Sequence, residues 1–159
     1  MHPNEKLLYS FYSHLGRLNA PGMCQCYQRE VVFSDPIFPS LKSWEAAAMW
    51  HMLCDRSAEI NVDVLDIHAD DERGVAKWEA RYVYSDTGRP VHNIITSKFK
   101  FYQGKVIRQK DDFDLWRWSR MALGAKGVLL GWSSAFQEKL RQMARRRLKQ
   151  YIRKKTAVS

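Results

Sequence analysis

The chain has 159 residues, the length of one ordinary domain, and its 45% apolar and 13% aromatic content excludes a disordered protein. No apolar run approaches the ~18 residues of a membrane-crossing helix, and the three cysteines, Cys24, Cys26 and Cys54, lack disulfide-scaffold or zinc-site spacing. The net charge of +9 is concentrated at one end: residues 137–159 hold nine Lys/Arg against Glu138, while the rest holds 17 bases and 16 acids.

Leu7, Leu8, Phe11, Leu15 and Leu18 recur at spacings of three and four, which places them on one stripe of a helix over residues 5–19. Pro21 and Gly22 are expected to end that helix. A short helical segment with Met23 and Tyr27 then leads into an extended run from Val31 to Ser34. Pro36 and Pro39 exclude regular structure over residues 35–40, which leaves Asp35 at the rim where a strand becomes a loop. Ser43 is positioned to cap a helix over residues 44–54, striped by Ala46, Met49, Trp50 and Leu53.

From there the apolar period changes to two. Ile60, Val62 and Val64 alternate, and Leu65 and Ile67 continue in the opposite phase, which implies a bulge. Trp78, Ala80, Tyr82 and Tyr84 form the next apolar face, and the outward Glu79 and Arg81 are expected to pair with Lys98 and Lys100. A turn at residues 85–90 precedes a strand with Asn93, Ile95, Ser97, Phe99 and Phe101 on one face. If Gly104 takes the left-handed conformation of a bulged hairpin, Ile107, Gln109, Asp111, Phe113 and Leu115 join the face of Ser97 and Phe99. Helices followed by a meander predict an α+β domain with a curved antiparallel sheet.

The order of helix, LNA (18–20), short helix, FSDP (33–36), third helix and hairpins ending in FKFYQGKVI (99–107) resembles the nuclear transport factor 2-like superfamily. Ketosteroid isomerases and SnoaL-like polyketide cyclases are among its members. The resemblance implies a curved antiparallel sheet wrapped by N-terminal helices into a cone-shaped barrel around a pocket. It covers about residues 5–116, within a domain of residues 1–116, and leaves residues 117–159 as a basic helical extension. It also implies a homodimer through the outer sheet face, and Asp35 matches the isomerase base that moves a proton beside a carbonyl. The usual oxyanion donors of those enzymes fall at His14 and Ser97 here, so steroid isomerisation itself is not carried over.

The candidate catalytic residues are Asp35, His14 and Asp111. A carboxylate beside an apolar cavity loses hydration, which raises its pKa toward the range of a general base. The alternative for Asp35 is a loop residue capping backbone donors next to Pro36, and for Asp111 a solvated acidic run. His14 flanks the first stripe and is equally readable as a half-buried structural histidine, with Tyr12 the weaker candidate on that helix. Asn93, Ser97 and Gln109 are polar groups on an apolar face, which suggests a ligand or ordered water. Trp78, Tyr82, Phe99 and Phe113 would form apolar walls or plain core. Alternation separates Asp111 from Asp112 and Asp114, so no metal is expected, and no cofactor either.

Together with these residues, the resemblance implies a pocket for a small apolar or amphipathic ligand, with proton transfer or hydrolysis using Asp35 as base. The alternative is a non-catalytic ligand- or partner-binding domain. Ser133 or Ser134 caps a final helix whose stripe is Phe136, Leu140, Ala144, Leu148, Tyr151 and Ile152. That helix packs on its own domain, lies on anionic lipid with help from Val128 to Trp132, or binds nucleic acid. The last is disfavoured, because no groove interleaved with aromatics and no helix-turn-helix pattern accompanies the charge. A cytoplasmic setting, with or without membrane association, is the expectation.

Overall fold

The structure is a computed structural model that describes residues 1–158. Helix α1 (Pro3–Gly16) opens where His2 Nδ1 accepts from the Asn4 amide at 3.0 Å, and its stripe of Leu8, Phe11, Tyr12 and Leu15 is buried. It stops at Gly16, earlier than Pro21, because Leu18 turns to a φ of 55° and Asn19 caps a separate helix, α2 (Ala20–Cys24). Asn19 Oδ1 accepts from the Gly22 amide at 3.2 Å. Tyr27 begins strand β1 (Tyr27–Ser34) and is not part of the short helix. β2 (Leu41–Lys42) is followed by α3 (Trp44–Arg56). Ser43 does not cap α3 with its side chain: its φ is 52° and its hydroxyl donates to the Arg29 carbonyl at 2.7 Å.

Four long strands follow, β3 (Ile60–Ala69), β4 (Arg73–Tyr84), β5 (Arg89–Tyr102) and β6 (Lys105–Asp112). They extend a six-stranded sheet of order β2-β1-β6-β5-β4-β3. The meander is antiparallel, as the alternation predicts, but β1 lies parallel to β6, so the sheet is mixed and stays open between β2 and β3. Parallel pairing needs a long crossover, and here the whole segment from β2 to β5 supplies it.

The anticipated bulge in β3 lies between Val64 and Asp66. The second phase shift exists but sits elsewhere than Gly104. Gln103 (φ 50°) and Gly104 (φ 77°) form a two-residue turn. Phe101 then pairs with Val106 and Lys100 with Arg108, which leaves Ile107 as the extra residue. Val106 is therefore buried in place of Ile107, and the shift carries Gln109 opposite Phe99 and Asp111 opposite Ser97, both facing inward. The strand ends before Phe113 and Leu115, since Asp114 accepts from the Arg117 amide at 3.0 Å and starts α4 (Leu115–Leu123). Outside the sheet, register places Arg81 against Asp63 at 2.6 Å and Glu79 against His92 at 3.3 Å, while Lys98 stands opposite Val75. The pairing with Lys98 and Lys100 does not form.

After α5 (Ala125–Leu130), Ser133 Oγ accepts from the Phe136 amide at 3.1 Å and caps α6 (Ser134–Val158). The stripe of α6 faces the body: Leu140 and Leu148 are buried, and Phe136, Ala144, Tyr151 and Ile152 are half-buried. Arg141 Nε donates to the Pro36 carbonyl at 2.8 Å, and Tyr151 donates to Asp55 Oδ2 at 2.5 Å. These contacts lay α6 across the open end of the cone, beside the loop that carries Asp35.

Candidate functional site

The concave face of the sheet encloses a cavity of about 240 Å³, many times the space of one water. Its walls are Leu15 from α1, Phe33 from β1, Met49 and Trp50 from α3, Trp78 and Tyr82 from β4, and Ile95 from β5. Phe113, Trp118 of α4 and Leu140 and Met143 of α6 close the mouth. Against these walls stand three polar residues of the inner face, Asp35, Asn93 and Asp111.

Asp35 follows the last residue of β1, and Pro36 turns the chain so that Asp35 Oδ1 accepts from the amides of Ile37 (2.7 Å) and Phe38 (2.6 Å). Asp35 thus caps two backbone donors and also lines the cavity. Burial pushes its carboxyl up to about 6, against the pull of the two amide donors.

Asp111 is only 6% exposed, and its Oδ1 accepts from Ser97 Oγ at 2.6 Å and from Gln109 Nε2 at 2.9 Å. Behind those donors the network runs further: Trp78 Nε1 donates to Ser97 Oγ at 2.9 Å, Tyr27 donates to Gln109 Oε1 at 2.6 Å, and Trp50 Nε1 donates to the Tyr27 hydroxyl at 2.8 Å. Every bond points toward the carboxylate. Burial still dominates and raises Asp111 to about 7; the Ser97 and Gln109 bonds oppose it and the charge of Asp35 adds to it. Both carboxyls are thus raised above their ordinary range by burial, Asp111 further than Asp35, within one largely apolar cavity.

The other predicted residues divide. Trp78, Tyr82, Asn93 and Phe113 line the cavity, and Tyr82 accepts from Trp118 Nε1 at 2.8 Å. Ser97 and Gln109 stand behind Asp111 as donors and not in the wall. Tyr12 packs behind Trp78 with ring centroids 4.8 Å apart, and burial followed by the charge of Asp111 raises the pKa of its hydroxyl, against the pull of Ser97. Phe99 stacks on Phe101 within the core. His14 is not brought to the site. Its Nδ1 sits 3.0 Å from Asn19 Nδ2 and 3.2 Å from Arg17 Nη2, at the corner of α1 and α2 over Gly22.

Sequence reasoning missed the relay residues Tyr27 and Trp50, because a hydrogen bond from Tyr27 to Gln109 spans 82 positions and leaves no periodic trace. It also missed the mouth. Arg56 and Arg147 line the cavity's rim and share one carboxylate, Asp86, which accepts from Tyr84 at 3.0 Å as well. Among the described residues no cluster of three or more His, Cys, Asp or Glu side chains is arranged to hold a metal ion, and no helix is long and apolar enough to cross a membrane.

A helix-wrapped curved sheet around an apolar cavity, with a carboxylate at the end of the first strand, defines the class of cone-shaped α+β pocket domains. The sequence matches the profile of the SnoaL-like domain over residues 8–109, and the chain belongs to that family. No curated protein sequence matches it. Among solved structures, an epoxide hydrolase of the LEH-like type from M. tuberculosis aligns at 14% identity with a TM-score of 0.65, covering 80% of this chain and 92% of that one. A nuclear transport factor 2-like protein of unknown function from Burkholderia pseudomallei aligns at 16% and 0.63, covering 84% and 100%. A protein of ketosteroid isomerase-like fold from Catenulispora acidiphila, in complex with trimethylamine, aligns at 8% and 0.64, covering 73% and 91%. Identities this low show a shared fold.

Proposed function

We propose that this chain binds a small, mainly apolar molecule in the cavity and moves a proton on it, by proton transfer or hydrolysis, with Asp35 as base and Asp111 as the paired acid. The observation that carries this reading is the presence of two carboxylates, Asp111 buried and Asp35 half-buried, differently hydrogen-bonded and lining one largely apolar cavity. Two such groups titrate apart, and the lower one abstracts the proton while the higher one supplies it. Asn93 and Tyr82 are the wall residues able to orient a polar group of the ligand. Arg56 and Arg147, two cations on one carboxylate, favour a ligand with an anionic end at the rim. The fold neighbour named as an epoxide hydrolase supports water activation as one version of this chemistry.

In this reading residues 1–116 form the pocket domain, and residues 117–159 are an extension that closes it. The outer sheet face, where Val75 and Ile94 are exposed, is the surface through which a homodimer would form, measured by light scattering on a sizing column. The three thiols are pushed up to about 11, chiefly by burial, which supports structural roles for them.

The test is deuterium uptake at carbon by a panel of enolisable ketones, run beside ring opening of a panel of epoxides. Activity in either panel that Asp35→Asn removes supports the reading. Ligands that bind and protect the cavity yet show no turnover would reduce the protein to its alternative, a non-catalytic binding domain.

A further inference from the structure

On the inner faces of the sheet and α1 the large apolar side chains are buried, whereas from α5 into the start of α6 the large ones face outward in a consecutive run. Gly127 and Gly131 are the buried residues of this stretch, while Val128, Leu129, Leu130 and Trp132 are 49%, 69%, 46% and 65% exposed. The glycines are required where they stand: a Cβ on Gly127 would fall 1.9 Å from the Ser119 carbonyl oxygen, and one on Gly131 would fall 2.6 Å from Ser119 Cβ. Small residues thus press α5 flat on α4 and hold the large ones outward.

The stretch is also ordered. The Gly131 amide donates to the Gly127 carbonyl at 2.9 Å, the Ser133 amide to Leu130 at 3.0 Å, and Gln137 Nε2 to Gly131 at 2.9 Å. Trp132 Nε1 donates to the Leu129 carbonyl at 3.0 Å, which fixes the indole on the turn. An ordered apolar cluster that its own fold leaves uncovered marks a contact surface.

Charge identifies the partner. No acid occurs from Leu115 to Gln137, and residues 115–159 hold twelve Lys/Arg against Glu138 alone, whereas residues 1–114 hold 14 bases and 16 acids. Near the cluster, Arg120 lies 4.4 Å over the Trp116 ring, itself 38% exposed, and Lys126 belongs to α5. The apolar stripe of α6 is not available for this contact, because Leu140 and Leu148 are buried against the body.

We propose that Val128, Leu129, Leu130 and Trp132 insert into the interfacial layer of an anionic lipid bilayer, with exposed bases of this region, Lys126 and Lys139 among them, on its headgroups. Apolar side chains ringed by bases bind such surfaces through buried area plus attraction to acidic lipid, and tryptophan suits the headgroup level. This inference stands independently of the chemistry in the cavity.

The test uses the full chain in flotation with vesicles of phosphatidylcholine alone and with about a third phosphatidylglycerol, over a salt series. Binding is expected to the anionic vesicles, weakened by salt, and at least about tenfold weaker for Leu129→Ser with Leu130→Ser, whose sites are exposed and whose melting should be unchanged. Brominated lipid should quench the native tryptophan fluorescence, and the quenching should drop in Trp132→Phe. Absence of binding to either vesicle would overturn the proposal. So would binding that both serine substitutions leave intact, or quenching unchanged in Trp132→Phe. A dimer that those serine substitutions dissociate would assign the cluster to a second copy instead.

Discussion

Ser97 Oγ donates to Asp111 Oδ1 at 2.6 Å, and the same oxygen accepts from Trp78 Nε1 at 2.9 Å. An indole can only donate, so the one hydroxyl proton of Ser97 is committed to the carboxylate. Ser97→Ala removes a bond that favours the ionised form and strands the Trp78 donor. The variant should lose about 1–3 kcal/mol of stability, more at pH 8 than at pH 5, measured by urea unfolding at both.

Asp111→Asn keeps an oxygen to accept from Ser97 and Gln109 but cannot ionise. The folded pKa of Asp111 is raised above the unfolded value, so its stabilising contribution is full below about pH 4 and is lost as pH rises through about 7. The asparagine variant should match the native chain at low pH and exceed it by roughly 1–3 kcal/mol at pH 8. Unfolding midpoints across that range check the sign. A variant weaker than the native chain at pH 8 would mean that Asp111 is comfortably ionised in the fold.

Arg147 contacts Asp86 from α6 and lines the rim of the cavity. Three tryptophans, Trp50, Trp78 and Trp118, line the same cavity, so ligand binding should change the intrinsic fluorescence. An apolar carboxylic acid should bind about tenfold more tightly than its methyl ester, and Arg147→Gln should erase most of that preference while leaving ester affinity nearly unchanged.

Gly127→Ala places a methyl group against the Ser119 carbonyl, which is backbone and cannot swing aside. The substitution should destabilise the packing of α5 on α4 by about 1–3 kcal/mol, read as early hydrogen exchange in residues 125–131. Unchanged protection there would show that α5 does not need its glycines.

Local pattern carried much of this architecture. The three-four spacing around Phe11, the phase change at Val64 and Leu65, and the X-Pro step at Asp35 each state a constraint that acts within a few residues, and each appears in the fold. The parallel pairing of β1 with β6 was not legible, because pairing between segments some 75 positions apart leaves no mark on either one. The inward phase of Gln109 and Asp111 was legible from their apolar neighbours, yet the extra residue proved to be Ile107, since a two-residue turn at Gln103 and Gly104 cannot itself absorb the shift. His14 shows the limit of counting along a helix. Its position beside the stripe was right, but the closeness of α2 gave its ring to Asn19 and Arg17 instead of to the cavity. The docking of α6 over the mouth depends on Leu140, Leu148 and the reach of Arg141 to Pro36, a fit between surfaces that neither segment shows alone.

The most direct measurement is a site-resolved NMR titration of the side-chain carboxyl carbons of Asp35 and Asp111 in the intact chain. Burial in a shared apolar cavity predicts midpoints of about 6 and about 7, with the Asp111 midpoint falling when Asp35→Asn removes the neighbouring charge. Two midpoints near the ordinary carboxylate value of about 4, with neither responding to loss of the other, would contradict the pairing on which the functional reading rests.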